Sequence, residues 1–188
     1  MKRALHMHEE LIEGCRDYNR KSQLQVYNLY YKAMYNTAFR IVKNSAEAED
    51  VMQESFLQGF KKIDDFKGDA SFGAWLKRIV VNKALDTIKK KKESVSLEES
   101  GIDPAAEDVS ENYLEVLSYK TDQIRKGIEH LEDDDRIVVS LFLLEGYDHE
   151  EISQILKISN NASRTRYSRA RNRLKEWLKE QKINEFVN

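Results

Sequence analysis

Apolar residues recur at three- and four-residue intervals along most of the chain, the period of helices that bury one face. The pattern predicts one helix over about 24–42, another from about Ala46 with Ser45 as its N-terminal cap, and a third over about 72–92 capped by Ser71. The apolar positions of the first two helices are Leu24, Tyr27, Tyr31, Met34, Tyr35, Ala38, Ile41 and Val42, then Met52, Phe56, Phe60 and Ile63.

The C-terminal third predicts further helices separated by short turns. Three acids at 133–135 favour a helix N-terminus because they suit the helix dipole, and Gly146 marks a helix end. Asp148 is a cap for a short helix, which a turn at 157–160 separates from the last helix. The predicted segments are about 124–131, 133–144, His149–Leu156 and Asn161–Gln181.

The stretch between these groups has the composition of a flexible linker. Residues 93–118 contain eight acids, no Lys or Arg, several Ser and the single proline, Pro104. We therefore predict an all-α fold with two small helical domains joined by a flexible acidic linker. The expected divisions are an N-terminal extension 1–21, a first domain 22–92, the linker 93–118 and a second domain 119–188.

Charge is strongly segregated although the formal net charge is only −2. Residues 1–92 hold 18 basic and 12 acidic side chains, residues 93–160 hold 5 and 18, and residues 161–188 hold 8 and 3. Two basic blocks separated by an acidic one predict two surfaces that face polyanions. The alternative is that helical proteins carry charge in patches without any such role.

Several classes of protein are disfavoured. The 188 residues contain one cysteine, no apolar run long enough to span a membrane, and no secretory signal at the N-terminus, so a cytoplasmic location is expected. We find no Gly-rich phosphate loop, metalloprotease motif or nucleophile motif, and therefore expect no catalytic residues, metal or cofactor. His6, His8 and Glu9 could bind a metal, but a mobile tail is the favoured interpretation. Cys15 could sense redox state, but a packed thiol is favoured.

The short helix, the turn and the long basic helix have the proportions of a helix-turn-helix. On a helical wheel the last helix has a buried face and an opposite polar face with nearly one sign of charge, because six cations between 164 and 175 precede the first acid, Glu176. Arg, Asn, Ser and Thr supply donors that bases and phosphates accept. The buried face comprises Tyr167, Ala170, Leu174, Trp177 and Leu178, and the polar face comprises Arg164, Ser168, Arg171, Asn172 and Lys175, with Thr165 and Arg169 at its margin.

The first domain offers a second candidate surface for nucleic acid. Phe66, Phe72 and Trp75 are interleaved with basic residues, a combination that suits unstacked bases and a single-stranded backbone. Phe72 and Trp75 also lie on the apolar face of their helix, so burial in the core is the favoured interpretation of these rings. Asn82 lies off that face, where its amide could hold a base.

Four runs of sequence resemble the bacterial sigma factors of the extracytoplasmic-function group, in the sigma-70 family. Residues 48–56 (AEDVMQESF) and 66–82 (FKGDASFGAWLKRIVVN) resemble the family's second region. Residues 147–152 (YDHEEI) and 164–171 (RTRYSRAR) resemble its fourth region. The resemblance to either region alone is moderately specific. The two regions in this order, joined by an acidic linker, are highly specific to the family.

The resemblance implies a role in transcription initiation, with core RNA polymerase and promoter DNA, both duplex and single-stranded, as partners. The chain would contact the polymerase β′ clamp helices and β flap, and an anti-sigma factor would be a further partner. The residues implied for the clamp helices are Asp50, Gln53 and Glu54. Those implied for melting and reading the −10 element are Lys77, Arg78, Asn82 and Lys83. Those implied for the −35 element are Arg164, Thr165, Ser168, Arg169 and Arg171.

Two departures from the family pattern lie in the turn of the helix-turn-helix. Asn161-Ala162 stands where Gly-Thr is common, which removes one hydroxyl donor for phosphate. Lys157 stands where Gly is common, which predicts mild backbone strain. The competing hypothesis is a helix-turn-helix regulator that binds duplex DNA without being a polymerase subunit.

Overall fold

The computed structural model describes the backbone of residues 2–94 and 113–181, and the side chains of residues 9–93 and 121–181. In these ranges every regular element is a helix, as the sequence predicts. The chain divides into two compact units, Met1–Asp103 and Pro104–Asn188. None of the described helices is long and apolar enough to cross a membrane.

Unit 1 is a bundle in which α2, α3 and α4 pack against one another. Apolar residues from all three helices fill its centre, and Val26, Phe56 and Val80 are among the buried side chains. Burial of such residues supplies most of the stabilisation of a small helical unit. The elements are α1 (Lys2–Arg16), α2 (Arg20–Val42), α3 (Ser45–Lys61), a 3₁₀ turn (Ile63–Asp65) and α4 (Phe72–Ser94).

Within the expected N-terminal extension, residues Lys2–Arg16 form a helix that packs on unit 1. Helix α1 packs on α2 and on the 3₁₀ turn. Its Ile12 and Cys15 are buried, and burial raises the pKa of the Cys15 thiol to about 11. The Arg16 guanidinium donates to the Phe66 carbonyl over 2.9 Å. The side chains of His6 and His8 lie outside the described residues. Among the side chains that the structure does describe, there is no group of three or more that could hold a metal ion.

Two details of unit 1 differ from the prediction. Asn44 rather than Ser45 caps α3, because its carboxamide oxygen accepts the Glu47 amide hydrogen over 2.9 Å. Leu24 was placed on the apolar face of α2 but is 59% exposed. The predicted Ser71 cap of α4 is confirmed by a 3.2 Å hydrogen bond from the Ala74 amide.

Unit 2 packs α5 and α6 against α8. Ile128, Val139 and Leu174 belong to its buried core, and Trp177 covers one side of that core. The elements are α5 (Tyr113–His130), α6 (Asp133–Val139), one π-helical turn (Ser140–Leu144), α7 (His149–Leu156) and α8 (Asn160–Glu180).

The range assigned to the linker is helical at both of its ends. Helix α4 continues to Ser94, and α5 begins at Tyr113, inside the range assigned to the linker. The sequence allowed a helical turn near 113–117, and this turn is the start of α5. Residues 95–112, which carry most of the linker acids, lie outside the described residues.

Candidate polymerase and nucleic-acid interfaces

Helix α3 presents an exposed polar row on the surface of unit 1. Asp50, Gln53 and Glu54 are all exposed, and their spacing places them on one side of the helix. The Asn44 cap and the buried Phe56 fix this orientation, because they set the start of the helix and the side that faces the core. The structure therefore brings the three predicted residues together on one surface.

Leu57 extends this row and is not among the residues predicted from the sequence. It is 61% exposed and lies three residues after Glu54 and four after Gln53. A helical wheel could have identified Leu57, because a leucine on the polar side of an amphipathic helix cannot pack into the core. The row is therefore polar with one apolar residue at its C-terminal end.

Helix α4 carries the second set of predicted residues. Arg78 and Asn82 are exposed and lie one turn apart, while Lys77 and Lys83 are partly covered. The Lys83 ammonium forms an ion pair with the Glu54 carboxylate of α3. The structure thus joins a residue predicted to contact polymerase to one predicted to contact DNA.

The aromatic residues around the start of α4 pack mainly on one another. Phe66 and Phe72 meet edge to face with ring centroids 5.5 Å apart, and Trp75 lies 5.6 and 5.4 Å from them. Phe72 is buried, which confirms the core interpretation of that ring. Trp75 and Phe66 are partly exposed at the surface. The cluster therefore fixes the loop that leads into α4.

In unit 2, α7, a tight turn and α8 follow one another as the sequence predicts. Asp148 and Glu151 form a reciprocal capping box at the start of α7, with hydrogen bonds of 2.8 and 2.9 Å. Lys157 adopts the left-handed conformation (φ 54°), as its occupation of a frequent glycine position predicts. Ser159 then caps α8, so that the helix begins at Asn160.

The exposed side of α8 contains all five residues predicted for duplex DNA. Arg164 is held at the start of the helix, because its Nε donates to the Asn160 carboxamide oxygen over 2.9 Å. Asn160 in turn donates to the Glu150 carboxylate over 3.0 Å, which links α8 to α7. The five exposed side chains are Arg164, Thr165, Ser168, Arg169 and Arg171.

Two other arginines of α8 are paired with acids of α6. Arg166 pairs with Asp134 over 3.2 Å, and Arg173 pairs with Asp135 over 2.7 Å. The sequence pattern predicts that both are cations of a nearly single-signed polar face. That interpretation is wrong for these two residues, because α6 places its acids directly beside them.

His149 connects the two helices of the helix-turn-helix. Its Nδ1 lies 2.9 Å from the Ser163 hydroxyl, and its ring stacks on Phe142 with centroids 4.7 Å apart. Burial lowers the pKa of His149 below its ordinary value, and the Arg164 guanidinium lowers it further, while Asp148 acts in the opposite direction. Burial and the Arg164 charge therefore favour the neutral imidazole.

Comparisons with known proteins identify a family for both units. The family model of Sigma-70 region 2 matches residues 26–94, and that of Sigma-70 region 4 matches residues 121–174. The chain is 30% identical over 164 residues to the ECF RNA polymerase sigma factor SigW of Bacillus subtilis, covering 82% of this chain and 88% of SigW. It is 31% identical over 136 residues to the ECF RNA polymerase sigma-E factor of Escherichia coli K12, covering 68% and 71% of the two chains.

Solved structures show the same architecture. The sigma factor RpoE from Bartonella quintana, in complex with the anti-sigma factor NepR, matches with a TM-score of 0.59 and 27% identity over 82% of this chain and 95% of that one. CnrH, in complex with the cytosolic domain of CnrY, matches with a TM-score of 0.55 and 22% identity over 90% and 96% of the two chains. The second likeness concerns the fold alone.

Proposed function

Because the chain belongs to the ECF sigma factors of the sigma-70 family, we propose that its two units divide promoter recognition between them while it is bound to core RNA polymerase. Asp50, Gln53 and Glu54 would contact the β′ clamp helices. This assignment is supported by their common exposed row on α3 and by the family motif around them. Because the row carries two carboxylates, it suits a basic polymerase surface.

Unit 1 would also melt and read the −10 element through α4. Arg78 and Asn82 are exposed one turn apart, so a guanidinium and a carboxamide are available to a strand that crosses this helix. Unstacking a base costs a few kcal/mol, which phosphate contacts and contacts to the extruded base offset. Lys77 and Lys83 would contact the backbone, and the Asn82 amide would hold the extruded base.

Unit 2 would read the −35 element with α8, and would also meet the polymerase β flap. The single observation that carries this assignment is the row of exposed donors along α8, held in register by the Asn160 and Ser159 contacts at its start. Arg can bind guanine in two places at once, while Ser and Thr reach bases or phosphates. The five residues would be Arg164, Thr165, Ser168, Arg169 and Arg171.

The proposal extends to organisation and regulation. A division into two domains is supported by the two family matches, over residues 26–94 and 121–174. An anti-sigma factor is proposed as a partner by analogy with RpoE, which has been solved in complex with NepR. Because the protein would act while bound to core polymerase, we propose a cytoplasmic location. The proposed mechanism uses no catalytic residue, metal or cofactor.

In vitro initiation on genomic DNA fragments with purified core polymerase tests this function. The full chain should direct polymerase to new start sites that the core enzyme alone does not use. In a parallel measurement of binding to the upstream element, Arg169→Ala should weaken the binding free energy by about 1–3 kcal/mol if the residue reads a base. Asn82→Ala should reduce open-complex formation more than it reduces binding to closed duplex.

Other outcomes would separate the rival functions. A chain that binds duplex DNA but never associates with core polymerase would be a helix-turn-helix regulator instead. A uniform loss of affinity across all sequences for Arg169→Ala would assign that residue to a phosphate. Equal losses in open and closed complexes would contradict base capture by Asn82.

A further inference from the structure

Helix α6 begins beside four consecutive acids that hold arginines of unit 2. The Arg173 Nη1 atom lies 2.7 Å from the Asp135 carboxylate and 3.4 Å from that of Glu132. Arg166 Nη1 lies 3.2 Å from the Asp134 carboxylate. The remaining acid, Asp133, pairs within α6 itself. The start of α6 is therefore tied to α8 at two points.

These two points lie on one side of α8. Arg166 and Arg173 are seven residues apart, which is two helical turns, so both point along the same edge. That edge borders the buried face, which includes Ala170 and Leu174. Arg169 lies between them in sequence but projects from the exposed side. The acids of α6 thus divide the arginines of α8 into an anchored pair and the group predicted to contact DNA.

The anchored pair is held with unequal strength. The Asp135 side chain is only 13% exposed, so its carboxylate would lose its main charge partner in a poorly solvated place if Arg173 moved away. Asp134 and Arg166 are 59% and 39% exposed, so their pair is weaker and more accessible to salt. A phosphate would have to compete with the carboxylate for each guanidinium.

We propose that Asp134 and Asp135 are positioning residues that determine the specificity of the DNA interface. By holding Arg166 and Arg173, they fix the rotation of α8 and keep two guanidinium groups away from DNA phosphates. Phosphate contacts strengthen binding to every sequence equally, whereas base contacts discriminate between sequences. Withholding two phosphate contacts therefore raises the share of affinity that comes from base reading. This inference rests on the proposed duplex-binding role of α8.

Equilibrium binding of the full chain to a short duplex of non-promoter sequence, measured at several salt concentrations, tests this role. Each released arginine that reaches a phosphate makes the slope of log K against log salt more negative by about 0.9. Asp134→Asn should therefore widen the ratio of affinities at 50 and 200 mM salt by about 3.5-fold. Arg166→Gln should leave the slope unchanged, and Asp134→Glu should retain the wild-type slope because it keeps the carboxylate.

The double variant separates release of Arg166 from a general loss of negative charge. Asp134→Asn combined with Arg166→Gln should return the slope to the wild-type value. A gain that persists in the double variant, or a slope that Asp134→Asn does not change, would overturn the proposal. So would a slope that becomes less negative in Arg166→Gln, because that arginine would already be on the DNA.

The corresponding pair at Asp135 is tested in the same way, with circular dichroism to verify folding. If Asp135→Asn prevents folding of unit 2, Arg173→Gln still tests the proposal. The proposal requires that Arg173→Gln leave the slope of log K against log salt unchanged. A less negative slope would mean that Arg173 already contacts a phosphate and would overturn the proposal. Arg171→Gln, at an exposed position of the same helix, serves as the positive control and should make the slope less negative. An unchanged slope for Arg171→Gln as well would overturn the duplex-binding role of α8, and this inference with it.

Discussion

The Glu54–Lys83 ion pair predicts that one substitution in α4 strengthens polymerase binding. If Glu54 contacts the polymerase, it must give up Lys83, and the energy of that pair is lost on binding. Lys83→Gln removes the competitor in advance. The variant should therefore bind core polymerase more tightly in the absence of DNA, although it removes a residue proposed for promoter contact.

The size of the effect follows from the exposure of the two side chains. Lys83 is 31% exposed and Glu54 is 57% exposed, so the pair is partly screened by water. Pairs of this kind contribute about 0.2–1 kcal/mol. Tighter binding by about 1.4- to 5-fold is therefore expected for Lys83→Gln. Glu54→Gln should weaken polymerase binding, because it removes the carboxylate itself.

Competition between labelled wild-type chain and each unlabelled variant for core polymerase measures these changes. Lys91→Gln is the matched control, because Lys91 lies on the same helix and pairs with Glu47 over 2.7 Å, outside the proposed polymerase row. It should leave the affinity unchanged. Weaker or unchanged binding of Lys83→Gln would refute the reasoning, and an equal gain for Lys91→Gln would attribute the effect to net charge alone.

Three further predictions concern the two units separately. The unfolding free energy of unit 2 should fall on acidification through about pH 6.5, because the lowered pKa of His149 makes the unfolded chain bind more protons there. His149→Phe should therefore show a smaller change of melting temperature between pH 7.5 and 5.5 than the wild-type chain. An identical change in the two proteins would contradict this prediction. Cys15, with a pKa of about 11, should react with a thiol reagent at pH 8 only after denaturant is added, so fast labelling of the folded chain would exclude its buried position. Leu174→Ala should destabilise unit 2 by about 2–5 kcal/mol and leave the calorimetric transition of unit 1 in place, whereas an unaltered unit 2 transition would contradict its core role.

Features set by neighbouring residues could be predicted from the sequence. The Asp148 cap and the period of α8 depend on positions a few residues apart, and both are confirmed. The choice between Asn44 and Ser45 as the cap of α3 could not be settled this way. Both residues are good caps, and the backbone geometry after α2 decides which carboxamide or hydroxyl oxygen meets an amide.

Features that depend on distant residues could not be predicted. Arg166 and Arg173 resemble their neighbours in sequence, and the acids that hold them lie 32 and 38 residues away. Leu24 fits a helical period but is exposed, because periodicity identifies a face and not how far its covering neighbours extend. The packing of α1 on α2 and on the 3₁₀ turn could not be predicted either, because it depends on contacts with other elements and not on a pattern within α1.

The hydrogen bond from Arg16 to the Phe66 carbonyl has a practical consequence for fragments of this protein. A fragment begun at residue 22 would omit this contact and also Asn19, whose side chain accepts from the amides of Lys21 and Ser22. The loop before α4 would then lose one of its attachments, next to the helix proposed to open DNA. Truncation at the sequence-derived boundary would consequently perturb promoter melting at a point more than forty residues from the cut.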